Sequence, residues 1–258
     1  MSIVHFIGGE KGGVGKSVFS RLLSQYFLDS SMPYAGFDAD QSHNTLTRFY
    51  EDYTQPVNLD VFESTDKIME TALEKDCNLL VDLPAQSERF LDRWIEENGV
   101  IDLCDEMQVP FIYWYVVDDG VDSAKLLKQF IEKYGNDLHC VVIKNKGCGS
   151  NFAAVDRIID SAIASGAKRL NHFVLPALHA ETMRRIDQLS FSFWGAENIK
   201  DGKLPHLSLM ERQRTRVWVK KSYAIFRSVY DDLSKTSAVE DPVAVQDQYQ
   251  TQSQPEPI

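Results

Sequence analysis

Residues 8–17, GGEKGGVGKS, decide how the rest of this 258-residue chain is read. They match a G-x-x-x-x-G-K-[ST] phosphate loop, opened by Gly9 or a neighbour and closed by Gly15, Lys16 and Ser17. Glycines let successive backbone N–H groups turn toward one anionic centre, and a helix starting near Gly15 adds its positive end. In such a loop Gly9, Glu10, Lys11, Gly12, Gly13, Val14, Gly15, Lys16, Ser17 and Val18 surround a nucleotide's phosphates. Lys16 reaches the β- and γ-phosphates, and the Ser17 hydroxyl ligates Mg²⁺. One lysine suffices for this, yet the stretch carries two, Lys11 and Lys16.

The context suits the motif. Residues 3–9, IVHFIGG, form a short apolar run ending in glycine, which predicts a buried strand. Residues 17–30 place Val18, Phe19, Leu22, Leu23 and Phe27 on one helical face. Further strands are expected at 34–40, 57–63, 77–85, 110–119, 138–147 and 169–178. Helices are expected at 41–53, 67–76, 87–100, 123–135, 152–166, 181–188 and 207–233. Strands alternating with helices imply an α/β fold: one P-loop domain, residues 1–234, with a mainly parallel, twisted sheet of about seven strands. No repeat of 20–50 residues is present. Residues 235–258 lack large apolar side chains and are rich in Gln, Pro and Ser, which predicts a disordered tail.

Bulk properties narrow the class. Hydrophobic residues are 43% and charged residues 25%, ordinary for a soluble protein, and the net charge of −11 argues against a general coat for nucleic acid. Cys77, Cys104, Cys140 and Cys148 form no C-x-x-C pair, so zinc and iron–sulfur spacings are missing and reduced cytosolic thiols are expected. The chain starts directly in an apolar strand without signal-peptide character, and no 18-residue apolar run is present, so a cytoplasmic location is expected. The histidines at 5, 43, 139, 172, 179 and 206 make no i,i+4 metal pair, and no G-x-S-x-G motif occurs.

The run KGGVGKS, residues 11–17, resembles the deviant Walker A signature of the ParA/MinD group of P-loop ATPases. The resemblance spans roughly residues 1–180. It implies that Lys11 is the signature lysine, which crosses an ATP-dependent homodimer to touch the partner's phosphates. A cation supplied in trans would neutralise charge developing during phosphoryl transfer. It also implies that Asp40, second in the D-x-D of FDAD, positions the attacking water, while Asp38 is structural. Asn44 matches a residue often found there, and Gln41 departs from a common proline. Asp82, ending NLLVD, would hold Mg²⁺ through a water. Pro84 and Ala85 fit the family's D-x-P-x-G, but Gln86 replaces its glycine. Asn145 would contact the base, with Lys144 and Lys146 stacking or in solvent, and Pro176 and Ala177 would line the base pocket. ATP and Mg²⁺ are the implied ligands.

The group's surfaces differ. A MinD-like basic membrane helix is not expected, because the last twenty residues are acidic and polar, with Pro255 and Pro257. Arg212, Arg216 and Lys220 share one helical stripe that could meet DNA phosphates. The alternative is a solvated face of a helix whose Leu209, Val217, Ala224, Ile225 and Val229 pack inward. LPALHAETMRRIDQLSFSFW (175–194) and LSLMERQR (207–214) resemble a TraL-like conjugal-transfer branch. The function expected is a slow ATPase switch, stimulated by a protein partner, that positions or partitions plasmid DNA, conjugation machinery or a protein complex, with nucleoid or cell-pole association. The alternative is a metabolic P-loop enzyme such as an ATP-dependent synthetase. The lack of cluster cysteines weighs against a nitrogenase-type reductase, and the paired lysines against ordinary kinases.

Overall fold

A computed structural model of the chain describes residues 2–40, 44–200 and 202–239. The apolar runs become seven strands: β1 Val4–Gly8, β2 Tyr34–Asp38, β3 Thr54–Pro56, β4 Asn78–Asp82, β5 Phe111–Val117, β6 His139–Asn145 and β7 Leu170–Leu175. They form one sheet in the order β3-β2-β4-β1-β5-β6-β7, with every pairing parallel. A parallel sheet is covered on both faces, which is why β1 and β4 are mostly apolar and buried throughout.

Side chains alternate between the two faces. Val4 and Phe6 enter a large core with Val81, Tyr113, Tyr115, Leu127 and Phe130. His5 points the other way, accepting from Trp114 Nε1 at 3.1 Å and packing on Phe27. Burial drives the His5 pKa down to about 3, so its ring is a neutral core group. Helix α1 (Lys16–Asp29) covers this second face, and the long helix α10 (Leu209–Val239) reaches it through Phe226. The Phe226 ring lies 5.4 Å from Phe19, 5.0 Å from Tyr26 and 5.7 Å from Trp114, centroid to centroid.

The described residues divide into two units, one ending at Phe226 and one beginning at Arg227. Within the second, α10 continues to Val239 and carries an Asp232–Lys235 ion pair one turn apart, at 3.2 Å. The helix therefore runs five residues into the stretch expected to be a tail. Residues 240–258, with Pro255 and Pro257, lie outside the described residues, as do Gln41 and His43. Among the described residues, no helix is long and apolar enough to cross a membrane.

Several boundaries differ from expectation. Residues 57–63 are not a strand. The edge strand β3 precedes them, Pro56 ends it, and α3 (Phe62–Glu74) begins before the segment is over. An edge strand tolerates proline because its outer N–H needs no ladder partner. In the stretch expected to be helical over 41–53, helix α2 covers Thr45–Phe49 and a 3₁₀ turn covers Glu51–Tyr53. Helix α4 (Glu88–Asp92) runs into a π-helical turn, Arg93–Glu97, and α5 (Val100–Glu106) follows unanticipated. Helices α6 (Val121–Tyr134), α7 (Ala153–Ala164) and α8 (Ala180–Gln188) stand where expected, and α9 (Phe193–Asn198) is an addition. Helix α10 buries part of the expected face, Ile225 and Val229, together with Thr215, Trp218, Val219, Ser222 and Phe226, whereas Leu209, Val217 and Ala224 are exposed.

Phe226 thus joins α10 to α1 and β5. Phe226→Ala should cost about 3–5 kcal/mol, the usual loss for a buried phenyl ring, and lower the melting temperature by roughly 6–20 °C. Thermal unfolding followed by circular dichroism checks this, and a shift under about 2 °C would remove Phe226 from that role.

Candidate functional site

Every nucleotide-site candidate sits at or beyond the carboxyl end of β1, β2, β4, β6 or β7, where open parallel sheets bind ligands. The loop from Gly9 to Gly15 joins β1 to α1, and Lys16 is the first helical residue. Gly9 opens the loop at φ 133°, and a Cβ there would lie 2.7 Å from the Val116 carbonyl of β5. The position five before Gly15, where the strict motif has glycine, is Glu10. Gly15 has φ 96°, and a Cβ there would meet Asn145 Nδ2 at 2.3 Å. Neither place admits a side chain without rearrangement.

Lys16 is buried and folds back over the loop, donating to the Gly9 carbonyl at 2.9 Å and the Lys11 carbonyl at 3.0 Å. Burial lowers its pKa, against the attraction of Asp82, Glu10 and Asp40. Ser17 follows in the first turn of α1. Lys11 lies on the other side of the loop, 2.7 Å from Asp118 Oδ2, just past the end of β5. Glu10 is half-buried; burial first, then the Glu88 charge, raises its pKa.

Asp82 ends β4 beside Asp38 of β2, its register partner. Both are fully buried. Ser20 Oγ of α1 donates to Asp82 Oδ1 at 2.7 Å, while Asp82 Oδ2 is buried without a hydrogen-bond partner. Burial pushes the Asp82 pKa up to about 7; the Asp38 charge adds to this, and the Ser20 and Ser17 hydroxyls oppose it. Asp38 is structural: Oδ1 accepts from Asp40 N at 3.2 Å, and Oδ2 from Thr47 N at 2.9 Å, in the first turn of α2. Asn44 caps that helix at φ 46°, its N–H on the Asp40 carbonyl at 2.8 Å. Gln86, where the ParA/MinD resemblance would lead one to expect glycine, also has positive φ, 61°, and its N–H bonds the Glu10 carbonyl at 3.2 Å. The substitution thus keeps a left-handed backbone at some steric cost. A groove of about 810 Å³ opens beside Asp40, lined by Pro84, Gln86, Arg89, Arg93 and the π-helical turn.

Asn145 is buried at the end of β6, and its amide is engaged within the protein. Nδ2 donates to the Val14 carbonyl at 2.8 Å, and Oδ1 accepts from Gly147 N at 2.9 Å. It ties the phosphate loop to β6. Lys144 neither stacks nor stays in solvent; it is buried and paired with Asp156 at 2.7 Å. Lys146 is exposed. Pro176 accepts Trp218 Nε1 of α10 on its carbonyl at 2.6 Å, and the adjoining Ala177 is exposed. In the basic stripe, Arg216 pairs with Glu197 at 3.3 Å and Arg212 donates to the Leu207 carbonyl at 2.8 Å, while Lys220 is exposed.

The sequence reading missed Ser20, Asp118 and Asp119. Asp119 Oδ2 accepts the N–H groups of Ser150 at 2.7 Å and Asn151 at 3.1 Å, holding the loop after β6. The signal was present: DDG directly follows the most β-prone run, as acidic residues also end β2 and β4.

A desolvated carboxylate with one unpartnered oxygen weakens the ligand-free protein. The folded pKa of Asp82 is above its ordinary 3.8, so its penalty is nil below about pH 4, grows as pH rises, and is complete above about pH 7. Asp82→Asn should therefore be more stable than the natural chain at pH 8, by roughly 2–4 kcal/mol, with the gap closing toward pH 4. Urea unfolding at pH 5 and pH 8 without Mg²⁺ or nucleotide tests this. A variant no more stable at pH 8 would contradict it.

No family model matches the chain. It is similar to Protein MobD of Acidithiobacillus ferrooxidans, with 24% identity over 143 residues, covering 54% of this chain and 62% of MobD. The match thus spans less than two thirds of that relative's length. Among solved structures it is similar to the MinD cell division protein of Aquifex aeolicus, at 14% identity and a TM-score of 0.48, covering 83% of this chain and 96% of that one. It is also similar to the nucleotide-binding protein in complex with ADP from Archaeoglobus fulgidus, at 11% identity and a TM-score of 0.43, covering 70% and 84%.

Proposed function

We propose that the chain is an ATPase switch of the ParA/MinD kind: it binds ATP with Mg²⁺, hydrolyses it slowly, and dimerises around it. The observation that carries this reading is a buried Lys16 over a loop bent at Gly9 and Gly15, with the charge of a buried Asp82 acting on it. Lys16 is held by two loop carbonyls, which a phosphate would replace as its partners. Loop N–H groups and the start of α1 would face the phosphates. The Ser17 hydroxyl and Asp82 suit a magnesium ion: both offer hard oxygen atoms, and Asp82 Oδ2 is a buried acceptor without a donor. The ion supplies charge neutralisation at the phosphates when bound. Asp40, at the mouth of the groove, would orient the attacking water, Lys11 would act on a second copy's nucleotide, and the β6 and Pro176 loops would border the base.

A protein partner would stimulate turnover, and the cargo would be plasmid DNA, conjugation machinery or a protein complex, in the cytoplasm at the nucleoid or a pole. DNA contact through Arg212, Arg216 and Lys220 is the weaker part, because two of the three already have partners in the chain. The groove of about 810 Å³ favours a second reading, a synthetase that seats a small second substrate near Asp40.

Nucleotide titrations joined to light scattering discriminate the two. Lys16→Ala should weaken ATP binding at least about tenfold, as loss of a charged phosphate contact does. Lys11→Ala should keep ATP binding and lower phosphate release by about 10²-fold or more. Asp40→Ala should accumulate an ATP-bound dimer. A natural chain and an Asp40→Ala chain that both bind ATP as monomers would sink the switch. Loss of a salt-sensitive DNA shift on neutralising the three basic residues would support DNA contact; no shift in the natural chain would exclude it.

A further inference from the structure

The ion pair between Lys11 and Asp118 places the lysine within its own chain. Its ammonium reaches Asp118 Oδ2 at 2.7 Å, with side-chain exposures of 31% and 16%. The acceptor is prepared for this. Asp118 Oδ1 takes the Gly120 N–H at 3.0 Å and the Ser123 hydroxyl, both at the start of α6, which leaves Oδ2 aimed at the phosphate loop. The neighbouring Asp119 is committed to Ser150 and Asn151. Gly120 supplies the room: a Cβ there would lie 2.5 Å from Lys11 Nζ.

We propose that Asp118 is a positioning residue that holds the Lys11 ammonium in cis, and that this ion pair must break before Lys11 reaches the nucleotide of a second copy. It rests on the reading of Lys11 as a lysine acting in trans. The two roles exclude each other in space, since one ammonium cannot lie at hydrogen-bonding distance from Asp118 of its own chain and from the partner's phosphates. Dimerisation then exchanges one anionic partner for another, and the energy of the internal pair is subtracted from assembly. Burial alone would raise the Asp118 pKa; the hydrogen bonds from Lys11, Ser123 and the Gly120 N–H outweigh it and hold the carboxylate ionised, so the latch is set at neutral pH.

Two substitutions open it by different routes. Asp118→Asn keeps an oxygen for Gly120 and Ser123 but removes the charge. Gly120→Ala keeps the charge and fills the space; its φ of −73° and ψ of 150° suit alanine. With a non-hydrolysable ATP analogue and Mg²⁺, both full-length variants should dimerise at about two- to thirtyfold lower protein concentration than the natural chain, because a symmetric dimer breaks two part-exposed ion pairs. Analogue affinity of the monomer should be unchanged. In a Lys11→Ala background neither substitution should promote assembly, a coupling that a merely structural role would not produce. Variants that dimerise at the natural concentration, or whose gain persists without Lys11, would overturn the latch. Failure of the underlying reading looks different: every chain would bind the analogue and stay monomeric, and the latch would fall with it.

Discussion

The phosphate loop has no spare room at its two ends, Gly9 and Gly15, and the rest of the site follows from that. β5 lies against its opening at Gly9, and the end of β6 against its close at Gly15. Two φ values near +100° or beyond bend it, and Asn145 pins its closing end through the Val14 carbonyl. Because the loop is gripped by strands, it acts as a rigid edge of the sheet. Side chains launched from it, Lys11 and Lys16, therefore start from fixed points.

That rigidity lets the site hold unfavourable electrostatics. A buried lysine and a buried carboxylate each lose hydration, and both pKa values move toward the neutral form despite their mutual attraction. Desolvation outweighs the Coulomb term for each group. The loop carbonyls around Lys16 and the Ser20 hydroxyl on Asp82 compensate in part. One carboxylate oxygen has nothing. A site poised this way gains when an anion meets the lysine and a cation meets the carboxylate. The neighbouring elements that could relax it are fixed by separate means, α2 by the Asp38 carboxylate and the loop after β4 by the Gln86 N–H on Glu10.

Strand ends were legible because buried parallel strands are apolar until the chain leaves the sheet. IVHFIGG, NLLVDLP and HCVVIKN announce both the strand and the polar residue that follows. β3 was not legible, because three residues ending in Pro56 carry no periodicity, and the V-x-L-x-V pattern at 57–61 imitated a strand. α9 is a six-residue helix whose Phe193 and Ala196 are buried by tertiary packing, which no local pattern records. In the site, residue types were readable and their partners were not. Asn145 reads as a donor and acceptor equally well for a base or for the loop it holds, and only the Val14 contact separates those uses. Asp118 escaped notice because its meaning lies in a lysine 107 residues away in sequence.

The two lysines are separated by topology. β1 stands between β4 and β5, so the loop leaving it has a carboxylate on each side, Asp82 on β4 and Asp118 past β5. Lys16 feels the first and Lys11 binds the second. The Lys16 charge is buried over its own loop, whereas Lys11 keeps about a third of its side chain in contact with water. A buried charge has one set of partners, fixed by the fold; a part-exposed one can change partners for the cost of one screened ion pair. Of the two lysines in GGEKGGVGKS, the outer one is therefore the one physically free to leave, and a role between molecules is compatible with its place in a way that it is not for Lys16.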